Sequence, residues 1–256
     1  MTALSEGEIV RYARQIVLPE VGGLGQMRLK RAKVLVVGAG GLGSPLLLYL
    51  AAAGVGTLRI VDDDAVDPSN LQRQILFATG DEGTSKVEAA AARLRALNPL
   101  VTIERHPSHL DAANVDALVD GMDAVADGSD NLETRLLVHD ACRRQGVPLV
   151  AAAVQGMDGQ LTTWKAHEGP PHPCLRCLLD ETLDGGVLPS CARGGVLGAA
   201  AGVVGSLQAV EVVKELLGLG EGLSGRMLLY DALAAETTPI RLRRRVECAA
   251  ACTRMR

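Results

Sequence analysis

Gly38-Ala39-Gly40-Gly41-Leu42-Gly43 follows the apolar run Lys33-Val34-Leu35-Val36-Val37 and precedes a stretch of helical character. Glycines at 38, 40, 41 and 43 let a backbone turn tightly and approach a phosphate, while the helix start presents unpaired N–H groups to anionic oxygens. Asp62 ends the next apolar run, about twenty residues on, where an acid can take ribose hydroxyls. These features alone describe a dinucleotide site. The residues after Asp62 argue for a different ligand. Ser69, Asn70, Arg73 and Gln74 crowd one short stretch, Lys86 begins the next helix, and Asp130-Asn131 lies just past a fourth apolar run. A redox enzyme has little use for so many phosphate-directed groups. Arg73 and Lys86 can neutralise a triphosphate and a departing pyrophosphate. Asp130 can hold Mg²⁺, which takes one or two carboxylates together with phosphate oxygens. The set favours ATP over NAD.

Six cysteines form a second group: Cys142, Cys174, Cys177, Cys191, Cys248 and Cys252. Cys174-x-x-Cys177 and Cys248-x-x-x-Cys252 are two close pairs that could meet as a four-cysteine Zn²⁺ site, although one C-x-x-C in isolation is also compatible with redox chemistry. His172 is an alternative ligand. Cys142 falls within a helical pattern and reads as a small core residue. His106, His109, His139 and His167 show no ligand spacing and receive no role.

Arg11-Tyr12-Ala13-Arg14-Gln15-Ile16, the glycine loop with Ser44, Ser69-Asn70-Leu71-Gln72-Arg73-Gln74, Lys86, Asp127-Gly128-Ser129-Asp130-Asn131 and Cys174-Leu175-Arg176-Cys177 occur in that order along nearly the whole chain. Together they resemble the ThiF/MoeB/HesA family, bacterial relatives of the ubiquitin-activating enzymes. The resemblance implies ATP-dependent adenylation of the C-terminal carboxylate of a ubiquitin-like sulfur-carrier protein ending in Gly-Gly, serving molybdopterin or thiamine biosynthesis. It places Gly41 in the phosphate loop, Asp62 on the ribose, Asn70, Arg73 and Lys86 on the phosphates, and Asp130 on Mg²⁺. It implies a homodimer in which Arg14 reaches the site of a second subunit. Cys191 occupies the position of a cysteine that some members link covalently to the carrier. The family's second cysteine pair is usually C-x-x-C, so the Cys248–Cys252 spacing is one residue longer. The chemistry is consistent, since a C-terminal carboxylate, with a free pKa of about 3.5, is already a nucleophile at neutral pH.

The elements that must position these groups follow an α/β alternation. A helical arm covers residues 1–30, with Ile9, Ala13, Ile16 and Val17 as its apolar stripe. A nucleotide-binding half covers 31–155. Its strands fall at 33–38, 57–62, 101–105, 123–128 and 149–154, and its helices at 43–53, within 81–98 (Thr84 or Ser85 as cap, Asn98-Pro99 as stop), 112–119 and 131–145. This is a Rossmann-like, doubly wound, mostly parallel sheet. From 156 to 256, a carrier-binding and zinc-binding half begins with a strand from Gly159 that should face water on one side. A loop over 169–193 follows, then an apolar helix from about Val196 to Leu217, and closing strands from Met227 and Thr237. The three parts read as one domain.

Composition narrows the classes further. A net charge of −4 gives no basic footprint for nucleic acid, and the aromatic set is only Tyr12, Tyr49, Phe77, Trp164 and Tyr230, too few for base stacking. The segment from Gly194 to Val213 is weakly charged but rich in Gly and Ala, which suits a buried helix whose Gly198-x-x-x-Gly202 spacing packs closely better than it suits a membrane span. The N-terminus lacks an apolar signal region, and the expected location is the cytoplasm. Two other classes compete with the adenylating enzyme. An NAD-dependent oxidoreductase rests only on the glycine loop and Asp62. A scaffold that binds ubiquitin-like partners without catalysis is weakened by the intact set of nucleotide-directed residues.

Overall fold

The computed structural model describes residues 3–179, 195–246 and 248. Cys191 and Cys252 therefore lie outside the described residues. Strands β1 (Lys33–Val37), β2 (Thr57–Val61), β3 (Thr102–His106), β4 (Ala124–Asp127), β5 (Leu149–Gln155), β6 (Asp158–Trp164), β7 (Arg226–Asp231) and β8 (Glu236–Arg241) form one sheet in the order β3-β2-β1-β4-β5-β6-β7-β8. Pairing is parallel from β3 to β5 and antiparallel from β5 to β8, with a tight β5–β6 hairpin as the change of direction. The sheet is thus continuous across residue 155, the expected boundary between the two halves.

Helices α1 (Glu6–Ile16) and α2 (Gly22–Arg31) make the arm. Helices α3 (Gly43–Ala53), α4 (Lys86–Leu97), α5 (Val115–Val119), α6 (Leu132–Gln145), α7 (Leu175–Leu178) and α8 (Gly198–Leu217) connect or cover the strands. One sheet face packs on α3, α4 and α8, with Leu46, Leu50, Leu94, Ala201, Val204 and Val212 in that core. The opposite face packs on α5 and α6, with Leu35, Val125, Leu149, Val138 and Trp164. Strands buried on both sides explain the near-continuous apolar runs of β1 and β4.

Several expectations change on contact with this architecture. In α1 the buried residues are Glu8 and Tyr12, whereas Ile9 and Val17 of the expected stripe are 49% and 71% exposed. Tyr12 faces inward because its hydroxyl accepts a hydrogen bond from Asn98 at 2.9 Å and its ring lies against Gly54. Glu8 is tolerated there because Lys30 neutralises it at 2.8 Å and it closes a capping box with Ser5. The helix within 81–98 holds as expected, starting at Lys86 with Ser85 as its N-cap and Asn98 as its C-cap, while residues 79–81 form a separate 3₁₀ turn. Strand β6 is buried on both faces from Leu161 to Trp164, since α8 covers one side and Trp164 packs into the α6 core on the other. In α8, a side chain at Gly202 would meet nothing, whereas a Cβ at Gly205 would sit 2.4 Å from the Leu42 carbonyl oxygen. The close crossing with α3 is therefore made by Gly205. No helix among the described residues is long and apolar enough to cross a membrane.

Candidate active site

Where the connections from β1 and β4 diverge to opposite faces of the sheet, the strand ends leave a crevice, the usual ligand position in such sheets. A cleft of about 300 Å³ lies there. It is lined by Gly38, Gly40 and Gly41 from the loop, Asp62, Asp63 and Asp64 after β2, Asn70, Arg73 and Gln74, Lys86, and Gly128 to Asn131 after β4. The glycine loop, residues 62–64, residues 70–74, Lys86 and residues 128–131, five separate stretches of chain, thus converge on one cavity.

The loop is built by backbone constraints. Gly38 adopts φ +85° while its N–H donates to Val61, and a Cβ at Gly43 would fall 2.0 Å from the Gly38 carbonyl oxygen. Only glycine at 43 lets the first turn of α3 close onto the strand end. Asp62 is tied into the same turn. Its carboxylate accepts the Ala39 N–H at 2.8 Å and the Asp64 N–H at 3.0 Å. Burial raises its pKa above the ordinary carboxylate value, with the Lys86 charge and these N–H groups opposing.

Lys86 is buried, and its Nζ contacts Asp64 Oδ2 at 2.5 Å while its backbone N–H donates to the Asp64 carbonyl. Asp64 itself is largely exposed. The lysine is thus held at the cleft wall as a paired cation, which avoids the cost of an unpaired buried charge. An incoming phosphate can share or replace that partner. Arg73 donates to the Ser69 carbonyl at 2.9 Å, which anchors the guanidinium along the cleft edge. Ser69 does not line the cleft. Its hydroxyl is bound to Asp67, the N-cap of the 3₁₀ turn at 68–70.

On the β4 side, Asn131 is the N-cap of α6 and accepts the Thr134 N–H, so its side-chain oxygen shapes the turn that presents Asp130 to the cleft. Asp127 below it is buried, with Oδ1 accepting the Ser129 N–H and Oδ2 without a hydrogen-bond partner. Arg135 was not anticipated. It donates to the carbonyls of Ser129 and, at 3.0 Å, Ala152, pinning the 128–130 turn to β5 beside the cleft. A signal existed, because a cation near a helix N-terminus opposes the dipole and needs a local reason. Gln74 also lines the cleft, with Oε1 buried and without a partner. Arg14 is exposed on α1 and is not among the lining residues, so within one chain it does not reach the cleft.

The second site is a thiol cluster. Cys174 Sγ lies 3.6 Å from Cys177 Sγ and 3.3 Å from Cys248 Sγ, and the three can offer ligand atoms to one ion. At these separations no disulfide joins Cys174 to Cys177 or to Cys248. The Arg245 N–H points at Cys177 Sγ at 3.5 Å. Burial pushes the Cys177 thiol up, but backbone at Cys174 and Arg245 and the neighbouring thiols outweigh it, leaving it below its ordinary value. Three converging sulfurs with a backbone donor fit a thiolate metal centre that takes a fourth ligand from elsewhere. His172 is instead bonded to Ser224 at 2.7 Å and to Glu168 at 3.2 Å.

Residues 12–250 match the model of the ThiF family. The chain is 49% identical over 241 residues to the SAMP-activating enzyme E1 of Haloferax volcanii, covering 93% of this chain and 88% of that protein. It is 49% identical over 243 residues to the sulfur carrier protein adenylyltransferase of Thermus thermophilus, covering 94% and 90%. It is 52% identical over 250 residues to the bovine adenylyltransferase and sulfurtransferase MOCS3, spanning 98% of this chain but only 54% of that longer protein. Among solved structures, Escherichia coli MccB with a bound MccA variant aligns with a TM-score of 0.81 at 20% identity, over 96% of this chain and 74% of that one. That likeness bears on the fold alone.

Proposed function

This chain belongs to the ThiF family, and we propose that it is an ATP-dependent adenylyltransferase acting on the C-terminal glycine carboxylate of a ubiquitin-like sulfur-carrier protein. The observation that carries the reading is the convergence of Arg73, Lys86 and Asp130 on the glycine loop in one cleft. A nicotinamide cofactor has no γ-phosphate for those groups to meet. The names of the relatives, sulfur carrier protein adenylyltransferase among them, point the same way.

The residues divide the work as follows. Gly38, Gly40, Gly41 and the start of α3 cradle phosphate oxygens, and Asp62 takes a ribose hydroxyl with the lone pairs its backbone donors leave free. Asn70, Arg73 and Lys86 meet the phosphates. Asp130 would hold Mg²⁺, which supplies charge neutralisation across phosphate oxygens when bound. The carrier's carboxylate oxygen attacks the α-phosphorus, and the bond from that phosphorus to the oxygen bridging to the β-phosphate breaks. Pyrophosphate leaves and an acyl-adenylate remains. No proton has to move, because the nucleophile is already ionised. Catalysis rests on alignment and on stabilising charge at the phosphates and the leaving group.

The arm supports a homodimer. Ile9, Val10, Val17 and Leu24 are all exposed on α1 and α2, an apolar set that a second copy would cover, bringing its Arg14 to the cleft. Cys174, Cys177 and Cys248, with Cys252 as the fourth ligand, would hold a structural Zn²⁺. The half from residue 156 onward would receive the carrier, and Cys191, outside the described residues, would be the residue for a covalent link to it. Molybdopterin or thiamine biosynthesis is the pathway class, in the cytoplasm. Incubation with ATP, Mg²⁺ and a Gly-Gly carrier, read by intact mass, should show the carrier gaining one AMP. A carrier amidated at its C-terminus should gain none, and labelling of the amidated form would refute carboxylate activation.

A further inference from the structure

His139 and Asp140 stand in the middle of α6, away from the cleft lining, and the mechanism uses neither. His139 is 1% exposed, with its ring edge-to-face against Trp164 at 6.3 Å. Its Nε2 accepts the backbone N–H of Leu175 at 3.2 Å. Because that N–H can only donate, Nε2 carries the lone pair and the ring proton sits on Nδ1, which donates to Asp140 Oδ1 at 3.0 Å. The other Asp140 oxygen accepts from Arg176 Nη2 at 2.7 Å. The result is a ring of contacts from two adjacent residues of α6 to Leu175 and Arg176. Those two residues are the ones between Cys174 and Cys177.

Helix α7 is only four residues long, too short to hold its own shape. Cys174 stands at its N-cap position and its side chain caps nothing. Leu175 carries the first N–H of the helix, a donor with no partner inside α7, and His139 supplies that partner from another element. Asp140 adds a charged contact one residue further on. The third thiol, Cys248, lies 74 positions from Cys174. The Cys174–Cys177 turn must therefore be oriented by something other than its own local structure, and among the described residues α6 grips it through His139 and Asp140.

We propose that His139 and Asp140 are positioning residues for the thiol cluster, holding the Cys174–Cys177 turn from α6 so that Cys174, Cys177 and Cys248 present their sulfurs to one metal ion. The proposal rests on the reading of that cluster as a Zn²⁺ site. Groups that orient ligands without touching the metal set how tightly it is held, because an ion released from a preorganised site can rebind before the ligands disperse. The clamp also ties the cluster to the helix whose first turn follows Asp130.

The test uses the full chain loaded with zinc, with release followed by a chromogenic chelator. His139→Leu fills the space beside Trp164 without offering an acceptor, and zinc should leave roughly tenfold faster. His139→Gln restores an acceptor toward Leu175 and should return release close to the wild-type rate. Amide exchange at Leu175 should accelerate in the first variant and recover in the second. Arg176→Met, on a partly exposed side chain, removes the Asp140 contact while leaving His139 in place and should fall between. If His139→Leu does not fold, Arg176→Met decides, and release at the wild-type rate overturns the proposal. Equal release from wild type and His139→Leu, or a Gln variant as fast as Leu, overturns the clamp while leaving the metal reading intact. A wild-type chain that carries no zinc and takes none up overturns the metal reading instead.

Discussion

The nucleotide cleft and the thiol cluster are assembled in opposite ways. The cleft is made where the ends of β1, β2 and β4 meet the connections that follow them, and its shape is held by backbone: the positive φ of Gly38, the close approach at Gly43, Asp62 bonded to Ala39, and Asn131 capping α6. The thiol cluster joins a four-residue helix to Cys248, 74 positions later, with little local structure of its own. A site formed by a fold's topology is preorganised before any ligand arrives. A site formed by two distant segments needs an outside grip, which here comes from α6, and a bound ion to close it. The comparison predicts that damage to the cleft abolishes chemistry at small cost in stability, and that damage to the cluster does the reverse.

The sharpest separation comes from Asp130→Ala or Lys86→Ala. Either should slow adenylate formation by about 10²–10³-fold, the effect of deleting one preorganised charge-stabilising group, while leaving zinc content unchanged. Single-turnover mass analysis and metal analysis on the same samples check both halves of that statement. Cys174→Ser is the mirror experiment. It should abolish stoichiometric zinc and lower stability by about 4 kcal/mol, what a ligand present at a thousand times its Kd contributes, with the ATP dissociation constant little altered. A Cys174→Ser chain that binds ATP as poorly as a cleft variant would show that the two regions are one unit.

Gly43→Ala tests whether the cleft is backbone-built. Its Cβ would meet the Gly38 carbonyl oxygen at 2.0 Å, so loop and helix must separate. The expected cost is about 1–3 kcal/mol, together with weakened ATP binding. Unchanged affinity by calorimetry would remove the loop from the account. The mildest probe is Asp140→Asn. His139 and Arg176 overcome the effect of burial and hold the Asp140 carboxyl down to about 2, from an ordinary value of 3.8. Its ionised form therefore stabilises the folded chain by about 2 kcal/mol above pH 4. That contribution fades as pH falls from 4 toward 2. Denaturant curves of wild type and Asp140→Asn should be separated at pH 6 and converge near pH 2.

The same contrast explains what could be read before the fold was known. Strands β1, β2 and β4, helix α3 and the cleft residues from Gly38 to Asp130 were legible, because each depends on signals within a few residues: an apolar run, a glycine turn, a polar residue at a strand end. Arg135 was missed because its partners, Ser129 and Ala152, come from a turn and a strand that only the sheet brings together. Ser69 was placed in the cleft, and its hydroxyl is instead bonded to Asp67 within the local turn. His139 had no ligand spacing and drew no role, yet it is the acceptor for Leu175 36 positions away. The apolar stripe of α1 does not identify its buried residues, Glu8 and Tyr12, whose partners, Lys30 and Asn98, periodicity does not reveal. Periodicity locates a helix more reliably than it locates the side that packs.

Carrier-dependent exchange of pyrophosphate into ATP tests the central claim most directly. The purified chain with Mg²⁺, ATP, labelled pyrophosphate and a Gly-Gly carrier should exchange label rapidly. Exchange should vanish without the carrier and with a carrier lacking its last glycine, and should fall by about 10²–10³-fold with Asp130→Ala. No exchange with any Gly-Gly carrier, from a chain that is folded and binds ATP, would contradict the assignment of this cleft to adenylation of a sulfur carrier.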